Sequence, residues 1–197
     1  MPSILAAKGG CPKGMVRIPG GTYAIGADTW WRKWATKREQ KQVEEFCIDQ
    51  YEYPNIEGEL PRVNVSFQEA KDLCEKAGKR LCRQEEWLAA CQGKEGRYYS
   101  YGAKKDIHKC NTDGQLLRGS QEILPSGTFP ECASPEGVRD LDGNVSEWVV
   151  GGGEKGENTL AGGTAWYTDW YGQDCTSRHW HTGDFKGMFD DGLRCCK

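Results

Sequence analysis

The sequence predicts one disulfide-rich α+β domain: two early helices, then short antiparallel strands joined by long ordered loops. Three observations carry that prediction. Capped helical patterns with one apolar face fall between residues 66 and 93, strand-like segments elsewhere are short and punctuated by glycine and proline, and ten cysteines are spread over 197 residues. A chain of this length can bury one sizeable core, and no linker, repeat or low-complexity tract divides it. The domain is read as 11–197, with 1–10 as an N-terminal extension that is too short and insufficiently apolar for a signal peptide.

The elements follow in order. Val16–Ile25 alternates loosely between Gly-rich turns, as a first strand and hairpin would. Trp30, Trp31 and Trp34 stand beside Arg32, Lys33 and Lys37 with no apolar periodicity. Their indoles either pack on the body of the domain or form the aromatic lip of a binding site. Phe46–Glu52 reads as a strand stopped at Pro54-Asn55. Ser66-Phe67-Gln68-Glu69 is a capping box, in which hydroxyl and carboxylate satisfy two orphan amides reciprocally. Phe67, Ala70, Leu73, Cys74 and Ala77 then share one helical face, and Gly78 sits where a left-handed residue ends a helix. A second helix over about Gln84–Cys91 turns Trp87, Leu88 and Cys91 inward and ends at Gly93. Pro125-Ser126-Gly127 and Ser134-Pro135-Glu136-Gly137 are turns.

Composition narrows the function. A net charge of -3 gives no bias toward nucleic acid or an anionic membrane, and no run of apolar residues is long enough for a spanning helix. With 26 glycines and eight tryptophans, the aromatics must carry much of the packing. The cysteines contain no C-x-x-C pair, whereas zinc sites want two close pairs. Disulfides in an exported protein, whether periplasmic, cell-surface or secreted, account for them better.

Four phrases occur in a telling order: Met15-Val16-Arg17-Ile18-Pro19-Gly20-Gly21-Thr22-Tyr23; Gly78-Lys79-Arg80-Leu81 leading to Glu85-Glu86-Trp87; Asp142-Gly143-Asn144-Val145-Ser146-Glu147-Trp148; and Gly162-Gly163-Thr164 with a terminal Gly192-Leu193-Arg194-Cys195. Together they resemble the formylglycine-generating-enzyme, or sulfatase-modifying-factor, family over about Cys11 to Cys196. The resemblance implies a C-type-lectin-like fold. It also implies disulfides Cys74–Cys195 and Cys91–Cys175; Cys11–Cys47, Cys110–Cys132 and Cys82–Cys196 are guessed for the remaining six, since sequence does not fix connectivity. It further implies structural calcium at Asn144 with neighbouring backbone such as Val145, and a second calcium at Asn111 and Thr112, for which the usual carboxylate partner has no match. Calcium takes six to eight oxygens, which a Gly-flanked loop can supply. The other reading of Asn144 is a turn residue bonded to its own backbone. The sequons at Asn64 and Asn144 are discounted, because a capping box and a buried loop occupy them.

The family's enzymes carry two cysteines shortly after Gly-Gly-Ser, and these hold copper(I), a soft cation that needs thiolates. Here Tyr167 stands at the first position and no cysteine is near the second, so no copper is expected. A second branch holds iron with histidines on a helical domain not read in this chain. His179 and His181, with Asp174 or Asp184, are the candidates for a transition-metal site in the alternative reading, a metal-dependent oxidoreductase acting on a thiol or small substrate. The favoured reading is a non-catalytic domain that binds a protein, peptide or glycan through Trp166, Tyr167, Trp170, Tyr171, His179, Trp180, His181 and Phe185, joined by Met188 and Phe189. Asp169, Asp174, Asp184, Lys186, Asp190 and Asp191 interleave with them, which predicts a partly exposed aromatic–acidic surface rather than a core. Ala165–Asp191 also matches the stretch diversified in variable proteins of retroelements, a resemblance that implies a variable binding role.

Overall fold

In a computed structural model the described residues are 10–28, 37–112, 122–153, 157–166, 173–180 and 185–197, with the side chains of His179 and Trp180 outside the description. Trp30, Trp31 and Trp34 lie outside it. The elements are β1 (Met15–Ile18), β2 (Gly21–Ile25), β3 (Glu39–Val43), β4 (Phe46–Asp49), α1 (Phe67–Lys76), β5 (Arg80–Leu81), α2 (Gln84–Gln92), β6 (Ser146–Gly152), β7 (Asn158–Ala161), β8 (Arg178–Trp180), β9 (Asp191–Leu193) and β10 (Cys195–Cys196).

They form three small sheets, ordered β1-β4-β10-β5, β2-β3 and β8-β7-β6-β9. The first strand and hairpin expected over Val16–Ile25 differ from this. β1 pairs with β4, and β2 pairs with β3 instead, so the chain changes sheets at Pro19-Gly20. Proline has no N–H for a ladder, which suits a break there. Among the described strands one pairing is parallel rather than antiparallel: β6 lies beside β9, with Glu147 opposite Gly192 and Trp148 opposite Leu193.

The helices follow the sequence pattern closely. Ser66 accepts from the Glu69 amide and donates its own amide to Glu69 Oε2 at 2.8 Å, which completes the capping box. Ala70 and Cys74 of α1 are buried, while Ala77 is its exposed C-cap and contributes nothing to the inner face. Gly78 adopts φ +69, the left-handed conformation expected of it. α2 is buried from Glu86 to Gln92, on all sides rather than along one stripe, so its position in the core follows from burial and not from amphipathicity. It packs on β2, β3, β6 and β7.

Five disulfides, Cys11–Cys47, Cys74–Cys195, Cys82–Cys196, Cys91–Cys175 and Cys110–Cys132, use all ten cysteines. Three of them tie α1, the residue that follows β5, and α2 to the C-terminal third of the chain. Among the described residues no helix is long and apolar enough to cross a membrane.

Candidate ligand-binding surface

The parallel β6–β9 pair brings two of the sequence phrases into register, and a buried ion pair locks them together. Arg194 is fully buried; its Nε lies 3.0 Å from both Glu147 oxygens and its Nη2 lies 2.7 Å from Oε1. Its remaining donors reach the carbonyls of Asp49 and Arg139. Glu147 also receives the Trp87 indole N–H at 2.6 Å, so the Glu-Glu-Trp phrase of α2 joins the same knot. A buried pair is tolerated when its hydrogen bonds are satisfied in this way.

The Gly162-Gly163-Thr164 turn leads from β7 toward the surface. A Cβ on Gly163 would come within 2.7 Å of the Gln173 backbone, so only glycine lets the two sides of the 164–173 loop approach this closely. Gln173 Nε2 donates to the Thr164 carbonyl at 3.3 Å, and the Ala165 amide donates to the Asn144 carbonyl at 3.1 Å. On the far side Asp174 accepts from the amide and hydroxyl of Thr176, next to the buried Cys91–Cys175 bridge. The loop base is therefore rigid on both sides.

Above that base the side chains sort differently from the expectation. Asp174, Asp190 and Asp191 are buried, not part of an exposed acidic surface. Asp191 shows how the charge is accommodated: Oδ1 accepts from Ser146 Oγ and Oδ2 from the Met188 amide. Burial raises its pKa above the ordinary aspartate value. The apolar side chains stay outside instead. Trp166 is 40% exposed, Met188 36% and Phe189 49%, and the Trp166 and Phe189 rings meet edge-to-face with centroids 5.1 Å apart. Phe185 is half-buried against Trp148, at 6.1 Å, and belongs to the core margin. His179 and Trp180 are on β8, opposite Leu160 and Thr159. Tyr167, Trp170, Tyr171 and His181 lie outside the described residues, as does Asp184.

The calcium expectation divides. Asn144 Oδ1 already accepts the Leu124 amide at 2.9 Å and Asn111 Nδ2 at 2.7 Å, while its Nδ2 donates to both Glu52 oxygens at 3.0 Å. Two N–H dipoles aimed at one oxygen repel a cation, so Asn144 does not fit as a side-chain ligand. Asn111 fits better. Its Oδ1 is buried with no hydrogen-bond partner among the described residues, and Thr112 beside it is buried as well. A cation there would satisfy an otherwise orphaned acceptor. Glu52 went unnoticed in the sequence, where nothing marks it. It is buried, accepts from Ser126 Oγ at 2.6 Å, and is pushed well above the usual carboxylate range by burial and by nearby Asp140 and Glu147. For transition metals, the one grouping of three ligand atoms among the described residues is Cys91, Asp142 and Cys175, and its two sulfurs are joined to each other.

Two short capped helices against small sheets, with the Glu-Glu-Trp, Gly-Asn-x-x-Glu-Trp and Gly-Leu-Arg-Cys phrases knotted through Glu147 and Arg194, define a formylglycine-generating-enzyme-like domain of C-type-lectin-like fold. Residues 55–197 match the sulfatase-modifying factor enzyme 1-like domain, and the chain belongs to that family. It is similar to inactive C-alpha-formylglycine-generating enzyme 2 of Bos taurus, 35% identical over 100 residues, which is 47% of this chain and 33% of that protein. It is 32% identical over 101 residues to hercynine oxygenase of Mycobacterium tuberculosis, covering 49% of this chain and 23% of that one. The matched stretches thus take up a third or less of these relatives' length. Among solved structures, PvdO from Pseudomonas aeruginosa superposes with TM-score 0.74 at 18% identity over 92% of this chain and 93% of its own, and Treponema denticola variable protein 1 with 0.70 at 15% over 92% and 94%. At those identities the likeness is one of fold.

Proposed function

We propose that this domain is an exported, non-catalytic binding module that takes a protein, peptide or glycan on the surface around Trp166, Met188 and Phe189. The observation that carries the reading is the exposure of these three large apolar side chains on a loop base fixed by Gln173, Asp191 and a disulfide. Aromatic side chains lose little entropy on contact, and aromatics and methionine are enriched in interfaces. Tyr167, Trp170, Tyr171, His179, Trp180 and His181 extend the same surface in this proposal. Two further facts support it. All ten cysteines are in disulfides, which leaves no thiol in this chain for copper(I), and a disulfide-dense fold suits an exported protein. A relative carrying the word inactive in its name accords with the reading.

The test has two arms. Peptides selected from a displayed library against the intact domain should lose at least ~2 kcal/mol of affinity on Trp166→Ala or Phe189→Ala, the size expected of an anchoring aromatic. Melting temperature should stay nearly unchanged, since both positions are exposed. A Cys-x-Pro-x-Arg peptide should yield no formylglycine with or without copper. Turnover of that peptide, or binders indifferent to both substitutions, would overturn the proposal.

A further inference from the structure

We propose that a second site, for a small carboxylate with an apolar body, lies in the cleft between α1 and the junction of β5 with β6. The cleft has a volume of ≈ 430 Å³, which falls within the roughly 300–1,000 Å³ of small-molecule sites. Its lining includes none of Trp166, Met188 or Phe189, so it is separate from the surface proposed above.

The floor is apolar. Phe67 turns one edge onto Trp148, at 5.8 Å and 77°, and lines the cleft as well. Leu81 is buried beneath it, and Val150 is 41% exposed on β6. The Val150 amide donates to the Cys82 carbonyl at 2.9 Å, which fixes this valine where the two sheets meet.

The rim supplies N–H donors. Phe67, Lys71 and Glu75 are spaced by four residues along α1 and so share its cleft-facing side. Lys71 Nζ stands 3.7 Å from Glu75, too far for a hydrogen bond, and both ends are about half exposed. Arg80 donates through Nη1 and Nη2 to Glu86 at 2.7 Å each, and through Nη1 to the Leu81 carbonyl. Its Nε is left over from the five donors of a guanidinium. Of its guanidinium, Arg83 gives Glu86 only Nη2, its backbone amide also donating to Glu86, and its Nε is 3.4 Å from Glu85, so Nη1 is unused. Asn158 Oδ1 receives the Gly151 amide, which leaves the Asn158 Nδ2 as a further donor. Glu75 is the one carboxylate on the lining. The two arginines converge on the single buried carboxylate of Glu86 behind the cleft, which holds them in place without saturating them. Ordered donors above an apolar floor recognise an organic anion whose body is apolar, and they disfavour a cation of the same shape.

The experiment is a titration of the ¹⁵N-labelled domain with 4-phenylbutyrate, followed by amide chemical shifts, and a parallel titration with 4-phenylbutylamine. The carboxylate should give saturable shifts at Phe67–Glu75, Arg83 and Val150, and the amine should bind at least about tenfold more weakly. Lys71→Glu and Val150→Asp, both at exposed positions, should each weaken the carboxylate at least about tenfold while the spectra stay dispersed. Trp166→Ala should change nothing. Equal binding of acid and amine, shifts confined to the Trp166–Phe189 region, or unaltered binding in either folded variant would overturn the assignment.

Discussion

Replacing Glu147 with Gln removes one charge from the knot that joins β6, β9 and α2 while keeping its shape. The structure sets the size of the effect. Arg194 has no exposure and directs Nε and Nη2 at the Glu147 carboxylate, and Trp87 donates to the other side of the same group. A glutamine keeps one acceptor oxygen and turns an NH₂ toward donors, so a guanidinium is left buried with half its partners. Breaking a buried pair in this way costs about 3–5 kcal/mol. For a domain of this length that corresponds to a fall in Tm of roughly 6–20 °C. Arg194→Met should cost a similar amount, because it strands Glu147 beside Glu52 and Asp140, whose carboxyls Arg194 also faces. The double variant carries neither charge, and its cost should fall short of the sum by at least about 2 kcal/mol. Urea unfolding with the disulfides intact, at one pH for all four proteins, reads the cycle. Additive costs, within about 0.5 kcal/mol, would refute the argument that the two phrases stabilise the fold as a unit.

Two further outcomes are expected. Burial pushes the Asp142 carboxyl from its ordinary 3.8 up to about 7, so the folded state holds a proton there that the unfolded chain releases. Its stabilising contribution is complete below about pH 4 and is lost as pH rises to 7, to a ceiling of about 4 kcal/mol at 1.36 kcal/mol per unit. Asp142→Asn should therefore flatten the fall in stability between pH 5 and pH 8 in chemical denaturation, and parallel profiles would contradict it. Calcium should raise the Tm of the native domain by mass action, and Asn111→Ala should abolish the increment. Asn144→Ala should lower Tm equally with and without calcium, because it strips Glu52 of its amide donor; loss of the calcium response in Asn144→Ala alone would put the ion at Asn144.

Local rules and the quoted phrases made much of the frame readable. The Ser66–Glu69 box and Gly78 depend on short-range chemistry, whereas the cysteine pairs of α1 and α2 were implied by the family resemblance. What escaped reading depends on contacts distant in sequence. Glu52 is 92 residues from Asn144, yet their hydrogen bonds decide what the Asn144 amide can do. No local pattern marks a glutamate that will be buried. The misplaced hairpin has the same origin: β1 finds its partner in β4 and β2 its own in β3, pairings between segments far apart in the chain that place Ile18, Ile48 and Tyr23 in one core.

The segment after Thr164 shows how three of the aspartates expected at the surface come to be buried. The expectation rested on the cost of burying unpaired carboxylates, which is correct for a carboxylate that lacks donors. A loop that folds back on its own base supplies those donors locally. Asp174 is met by Thr176 two residues on, and Asp191 by the amide of Met188 three residues earlier and by Ser146 on the adjoining strand. Each aspartate thus closes a turn at the foot of the loop. Once the foot is occupied by carboxylates and their donors, Trp166, Met188 and Phe189 are turned to the outside, where the Trp166–Phe189 edge contact covers only part of each ring. Burial of Asp174, Asp190 and Asp191 leaves apolar side chains outermost around Trp166 among the described residues, beside the exposed Lys186, and on the proposed binding reading a partner would meet them with apolar side chains or a sugar's C–H face.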